Sequence, residues 1–196
     1  AKRAEDISPF HVMDILAQAR QLESQGHDII HMEVGEPDFD TPSPIVDAGI
    51  RALQNANTHY TPALGLPALR EAIAAWYESH YQVRVSASRI VVTPGASGAL
   101  LLVMGALLET GRKVMLADPG YPCNRHFARF VEAGVNSVPV TAETHYQLTA
   151  EHVGQYWDED TRLVLVASPS NPTGTVLSRD ELQSLSDAVR QRHGSL

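Results

Sequence analysis

The sequence predicts an α/β fold, a mostly parallel sheet with helices wound on both faces, and three observations carry that prediction. Short apolar runs rich in β-branched residues, Ile90-Val-Val92, Val114-Met-Leu-Ala117 and Leu163-Val-Leu-Val-Ala167, have the pattern of strands buried on both faces. Between them lie helical periods opened by Pro, Ser or Thr and closed by Gly, so that strands alternate with crossover helices. Each apolar run also passes straight into a polar turn, at Thr93–Gly98, Asp118–Pro122 and Ser168–Gly174. Polar turns at strand ends are what a ligand crevice in an open α/β sheet requires.

In chain order, Ser8-Pro9 caps a helix whose positions Val12, Ile15, Leu16, Ala19 and Leu22 keep a helical period until Gly26. Asp28–Glu33 alternates like a short strand and leads into Val34-Gly35-Glu-Pro-Asp-Phe-Asp-Thr-Pro42, a rigid turn-rich loop that reads either as a connector or as a functional loop. Ile45–Leu53 is an amphipathic helix. Asn55–Gly65 is polar and irregular, and its Tyr60, taken alone, is a packed surface anchor. Pro67 then starts a helix with Leu69, Ile73, Trp76 and Tyr77 as its buried face.

Ile90–Thr93 is predicted as a buried strand followed by a tight turn, with Ser97 in an N-cap position ahead of Ala99–Leu108. That helix is apolar on every side, the mark of burial within a large domain. The turn by itself admits two readings, plain connecting chemistry or a cup in which the N–H groups of Ala96, Ser97 and Gly98 and the helix dipole face a phosphate. Lys113–Ala117 is the next buried strand. A helix with Phe127, Phe130 and Val131 on one side follows, ended by Gly134, and then strand Asn136–Val140, which Pro139 assigns to a sheet edge. Thr149 caps a helix to about Trp157, and Arg162–Ala167 is the following strand. Ser178-Arg-Asp-Glu181 is a capping box for a last helix with Leu182, Leu185, Ala188 and Val189 inward, stopped by Gly194.

Of the 196 residues 43% are hydrophobic and 19% charged, an ordinary globular composition without internal repeats. A net charge of -8, with scattered Arg and only Lys2 and Lys113, argues against a nucleic-acid surface. No run reaches the roughly eighteen apolar residues of a membrane span, and no signal-peptide core follows the first residues, so the expectation is a cytoplasmic protein with no membrane partner. The single cysteine, Cys123, and nine His without ligand spacing give no metal site.

Five blocks, Gly35–Pro42, Tyr60-Thr-Pro-Ala-Leu-Gly65 with Leu69-Arg70, Thr93–Leu100, Asp118-Pro-Gly-Tyr-Pro122 and Ser170-Asn-Pro-Thr-Gly174, stand in the order and spacing of class I/II pyridoxal-phosphate-dependent aminotransferases. From about Ser8 onward the chain resembles that family, most closely its aspartate/aromatic group. The resemblance implies the PLP-dependent transferase fold type I, pyridoxal 5'-phosphate as cofactor, and an amino acid and a 2-oxo acid as substrates. It assigns the phosphate cup to Ala96 and Ser97, ring stacking to Tyr121, a hydrogen bond to the cofactor's phenolic oxygen to Asn171, and close approach to the substrate carboxylate to Gly35. Tyr60 matches a tyrosine that reaches the cofactor of the neighbouring subunit, which implies a homodimer. Asp118-Pro119 and Asn171-Pro172 match positions where the family tends to have cis peptide bonds.

The family's Schiff-base lysine, pyridinium aspartate, O3′ tyrosine and two anion-binding arginines all match nothing in this chain, and Lys2 and Lys113 do not replace the lysine. The resemblance therefore implies an N-terminal half with no catalytic residue of its own, and a C-terminal half as its missing partner. Residues 1–44 would form an arm and small-domain segment, and 45–196 the first half of the large cofactor-binding domain. In the family's sheet, strands supplied later separate Ile90–Thr93 from the other three, so this half alone is expected to leave unpaired edges and an uncovered core. A β-lyase or decarboxylase on the same scaffold, and a non-catalytic aminotransferase-like binding domain, are the competing functions.

Overall fold

The computed structural model describes residues 5, 7 and 11–196. Its elements are α1 (His11–Ser24), α2 (Ser43–Gln54), α3 (Pro67–Tyr81), a 3-10 turn (Ala87–Arg89), α4 (Gly95–Leu107), β1 (Lys113–Asp118), α5 (Cys123–Phe130), β2 (Gly134–Pro139), a second 3-10 turn (Ala142–Thr144), α6 (Ala150–Tyr156), β3 (Thr161–Leu165) and α7 (Arg179–Gln191). They divide between two compact units, one inside Phe10–Thr93 and the other inside Pro94–Leu196.

In the second unit three parallel strands lie in the order β2-β1-β3. Alternate residues of the central strand feed two separate cores. Met115 joins Val138, Val164 and, from the helices, Val153, Leu185 and Val189. Val114 and Leu116 join Met104, Ala128 and Leu163. Helices α6 and α7 thus cover one face and α4 and α5 the other, the two-sided burial that apolar strand runs demand. The crossovers α5 and α6 lie on opposite faces, so the chain steps from β1 to β2 in one direction and back past β1 to β3 in the other. Beyond β3, Ser195 continues the same direction: Val164 N–H donates to Ser195 O (2.8 Å) and Ser195 N–H to Arg162 O (2.9 Å) in a parallel bridge. The sheet therefore switches direction between β1 and β3.

Strand and helix starts follow the local chemistry. At the N-terminal edge of the sheet Asp158 accepts from Thr161 N–H (2.9 Å), Thr161 Oγ1 (2.8 Å) and Lys113 Nζ (2.6 Å). The Lys113 ammonium, with those hydroxyl and backbone donors, holds its pKa down to about 2. Thr149 caps α6 and Ser178 caps α7 through reciprocal capping boxes with His152 and Glu181. Gly134 N–H donates to Arg112 O and Val140 N–H to Asp118 O. Alternation along β2 then turns Pro139 away from β1, where its missing donor interrupts no ladder, and β2 is the edge its proline predicts.

Four expectations are corrected. Asp28–Glu33 is not a strand; no strand pairs with it among the described residues, and Ile30 and Met32 are 84% and 88% exposed. Ile90–Thr93 is not a strand either, with no strand pairing to it among the described residues; Arg70 and Leu64 hold Ile90 and Val92 in an extended segment instead. Helix α4 buries only Met104, and Leu102 is 60% exposed; on α3 Leu69, Trp76 and Tyr77 are exposed and only Ile73 is half-buried, because nothing among the described residues covers those faces. Helix α5 stops at Phe130, so Gly134 opens β2 rather than closing the helix. The predicted cap Ser8-Pro9 lies outside the described residues.

Candidate functional site

The C-terminal ends of β1 and β3 are adjacent, and the connections leaving them run in opposite directions, the arrangement that opens a crevice in a doubly wound sheet. The turn after β1 carries Gly120 and Tyr121, and the loop after β3 carries Ser170 and Asn171. Both reach one notch of about 40 Å³, also lined by Asn124, Arg125 and Gln147.

Tyr121 is aimed by a turn that only glycine permits at residue 120. A Cβ there would stand 2.5 Å from Ala117 O, a backbone atom that cannot give way. The Tyr121 phenol is held above its ordinary pKa by its hydrogen bond with the Cys123 thiol and then by burial. Asn124 N–H donates to Tyr121 O (3.2 Å), while Asn124 Oδ1 is buried and has no hydrogen-bond partner among the described residues. Arg125 faces Asp118 at 3.6 Å, and the Ser137 hydroxyl donates to the same carboxylate (3.2 Å).

The loop with Asn171 is closed on itself. Ser170 N–H donates to Thr175 O and Gly174 N–H to Ser170 O, both at 2.8 Å. From below, Gln147, only 4% exposed, donates from Nε2 to Ala167 O (3.2 Å) and Thr175 O (3.0 Å). The Asp118-Pro119 and Asn171-Pro172 bonds are cis, as the resemblance implies, and so is Ser168-Pro169, which no sequence feature had indicated.

Tyr121 and Asn171 thus come together. Ala96 and Ser97 do not line the notch; both are exposed in the first turn of α4. Because α4 begins at Gly95, Ser97 is inside the helix and makes no cap bond, contrary to the N-cap expectation. Its N–H and that of Ala96 still belong to the first-turn donors that have no acceptor within a helix. Gly35 and Tyr60 lie in the other unit. Among the described residues nothing stands within 4 Å of a Cβ added at Gly35, so no contact among them requires glycine there. Tyr60 is fully exposed (108%) and is no packed anchor. Its neighbours in the block act locally: Gly65 has φ +97° and a Cβ there would meet Val92 Cβ at 2.7 Å, while Arg70 Nε donates to Ile90 O (2.8 Å).

Sequence reasoning missed Gln147 and Asn124. The partners of Gln147 lie 20 and 28 residues away, beyond any local pattern. Asn124 reads as the polar second residue of a helix, and only the closeness of two strand ends makes it an inward group. Among the described residues no group of three His, Cys, Asp or Glu is arranged to hold a metal, and no helix is long and apolar enough to cross a membrane.

Residues 27–196 match the family model for aminotransferase class I and II. The chain is 39% identical over 92% of its length to (5-formylfuran-3-yl)methyl phosphate transaminase of Methanocaldococcus jannaschii, of which it covers 46%. It is 37% identical over 98% of its length to a probable aspartate/prephenate aminotransferase of Aquifex aeolicus, covering 49%. A crystal structure of an aminotransferase from Mycobacterium tuberculosis superposes with a TM-score of 0.94 at 35% identity, over all of this chain and 51% of that one. The chain spans about half the length of the curated relatives it matches. Five ordered blocks, a doubly wound sheet and these matches all agree: the chain belongs to the class I and II aminotransferase family.

Proposed function

We propose that this chain is part of a pyridoxal 5'-phosphate-dependent aminotransferase that moves an amino group between an amino acid and a 2-oxo acid. The observation that carries the reading is the meeting of Tyr121 and Asn171 at the switch point of the sheet. The residues fit the cofactor. A flat phenol and an amide stand on either side of a crevice of the kind that holds ligands in this architecture, and the buried Oδ1 of Asn124 asks for a donor there. The tyrosine ring would stack on the pyridine ring, and the Asn171 amide would donate to the phenolic oxygen, lowering the proton affinity at that atom. Ala96 and Ser97 would take the phosphate with backbone N–H groups, the Ser97 hydroxyl and the dipole of α4. When bound, pyridoxal phosphate supplies an aldehyde that takes up the amino group and a ring that withdraws electrons from the carbon losing its proton.

The remaining assignments complete the reading. Gly35 presents its backbone to the substrate carboxylate, and Tyr60 reaches the phosphate held by the second subunit of a homodimer. Residues 45–196 belong to the large domain and 1–44 to the arm and small domain of a cytoplasmic enzyme of amino-acid metabolism. Lys113 is not the reactive amine. It opens β1, at the edge of the sheet opposite the crevice, and its ammonium is paired with Asp158. The amine that reacts is supplied by the rest of a longer protein.

The test is made on the full-length protein with pyridoxal phosphate, amino-acid donors and 2-oxo acids. Formation of a new amino acid matched by loss of the donor supports amino transfer. Release of ammonia with pyruvate, or of carbon dioxide, would identify a lyase or a decarboxylase instead, and failure to retain the cofactor would leave a binding domain.

A further inference from the structure

We infer that Asn124 is a cofactor-contacting residue, its Oδ1 accepting a hydrogen bond from a donor group that arrives with bound pyridoxal phosphate; the inference rests on the function proposed above. Asn124 is the second residue of α5, and its backbone N–H is fixed to Tyr121 O at 3.2 Å. Its Oδ1 is buried and has no partner among the described residues, although an amide oxygen removed from water is rarely left unpaired.

Asn124 belongs to neither hydrophobic core cluster. Asn124 lines the notch together with Tyr121 and Asn171, the residues to which the proposed function gives the ring face and the phenolic oxygen. Two of the donor side chains that line the notch have partners of their own. The Arg125 guanidinium faces the Asp118 carboxylate at 3.6 Å. Gln147 Nε2 is directed to the carbonyls of Ala167 and Thr175. A buried, unpaired acceptor thus belongs to a residue that lines the notch, and its complement is an N–H or O–H on the edge of the ligand.

The experiment uses the full-length protein and pyridoxal phosphate itself. Cofactor affinity is read by absorbance titration, and melting temperature with and without cofactor, for wild type, Asn124→Leu, Asn124→Asp and, as a control on the site, Asn171→Ala. Asn124→Leu, similar in size but without an acceptor, should weaken cofactor binding roughly 5- to 20-fold, the effect of one lost hydrogen bond. Its cofactor-free melting temperature should not fall, because the oxygen removed had no partner. Asn124→Asp keeps an acceptor at that point and should bind within about twofold of wild type. Should Asn124→Leu not fold, Asn124→Ala carries the same expectation. Wild-type affinity in Asn124→Leu, or an equal fall of its melting temperature with and without cofactor, would overturn the inference, the latter by revealing a packing role. If Asn171→Ala also binds as wild type, the proposed function itself fails; if Asn171→Ala is impaired and Asn124→Leu is not, only the role of Asn124 falls.

Discussion

Replacing Gln147 by leucine removes one amide from beneath the Asn171 loop without changing much volume. In the native arrangement Nε2 uses its two hydrogens on Ala167 O (3.2 Å) and Thr175 O (3.0 Å), the two ends of the loop. Ala167 O then loses its donor, at a cost of about 1 to 3 kcal/mol if it stays buried and less if the loop lifts into water, whereas Thr175 O keeps the Ser170 N–H. Lifting is the cheaper course, because the loop already turns on its own bonds and Asn171 is exposed. The leucine side chain meanwhile extends the apolar core, so we expect a global loss of only about 1 to 2 kcal/mol in urea denaturation. The local effect is larger in proportion. Opening of the loop should become about tenfold more frequent, which corresponds to roughly 1.4 kcal/mol. Hydrogen exchange of the Ser170 and Gly174 amides reports it directly, since each donates to a carbonyl of the same loop at 2.8 Å. Gln147→Glu is the harsher companion. It sets a carboxylate against two carbonyl oxygens, so burial and repulsion raise its pKa. The variant should be the less stable of the two near neutral pH and recover as pH falls and the protonated acid regains one donor. Unchanged exchange at Ser170 and Gly174 in Gln147→Leu would refute the claim that Gln147 positions the loop.

Three further outcomes are expected. Asp158, with its pKa lowered from 3.8 to about 2 chiefly by Lys113, stabilises the start of the sheet above pH 4, and that contribution disappears as pH falls toward 2. Because the carboxylate is 40% exposed, solvent screening leaves about 1 kcal/mol of it; Asp158→Asn should abolish this part of the acid transition in urea midpoints measured between pH 5 and pH 2. Gly120→Ala should destabilise by at least about 2 kcal/mol, since its Cβ meets a backbone oxygen at 2.5 Å, and an unaltered melting temperature would show that the turn can relax. His31 lies between Glu33 (2.6 Å) and Glu23 (2.9 Å), which raise its pKa, so the link between α1 and the following segment holds at acid pH and is lost as pH rises through that value. An NMR titration of His31 should show its midpoint move down in Glu33→Gln, and no movement would contradict the pairing.

The parts of the fold that could be read from the sequence are those whose causes are local or periodic. Val114–Ala117 and Leu163–Leu165 declare a doubly covered strand by having no polar face. Ser178 and Glu181 declare a helix start three residues apart, and Pro139 declares an edge. Asp28–Glu33 and Ile90–Thr93 carry strand-like residues as well, but a strand exists only with a neighbour, and composition does not say whether the neighbour is there. The exposed faces of α3 and α4 have the same origin: apolar periodicity records that a surface is to be covered, and what covers it is written elsewhere. Within the candidate site, Tyr121 and Asn171 could be found because each follows a strand end within a recognisable turn. Ser97, the expected cap, stands three residues past the observed one, because Pro94 holds the N-cap position and Gly95 opens the helix. Gln147 and Asn124 escaped because a polar side chain becomes inward only through contacts that no spacing rule encodes.

The division of labour along β1 has a consequence for how this part of the molecule tolerates change. The strands are what the two cores share: β1 sends Met115 to one side and Val114 and Leu116 to the other, and β3 sends Val164 and Leu163. A void opened beside Val153 or Leu185 can be refilled from its own side of the sheet, and its energetic cost should add to that of a change beside Ala128 without interaction. Sequence drift can then proceed as two nearly independent histories, each compensating within its own face. The histories meet only where a substitution shifts a strand of the sheet, and β1 hands any such shift on to Gly120 and Tyr121. A distant core change that alters ligand affinity is therefore to be sought among the few residues that press on β1 from either side, rather than among those merely close to the crevice.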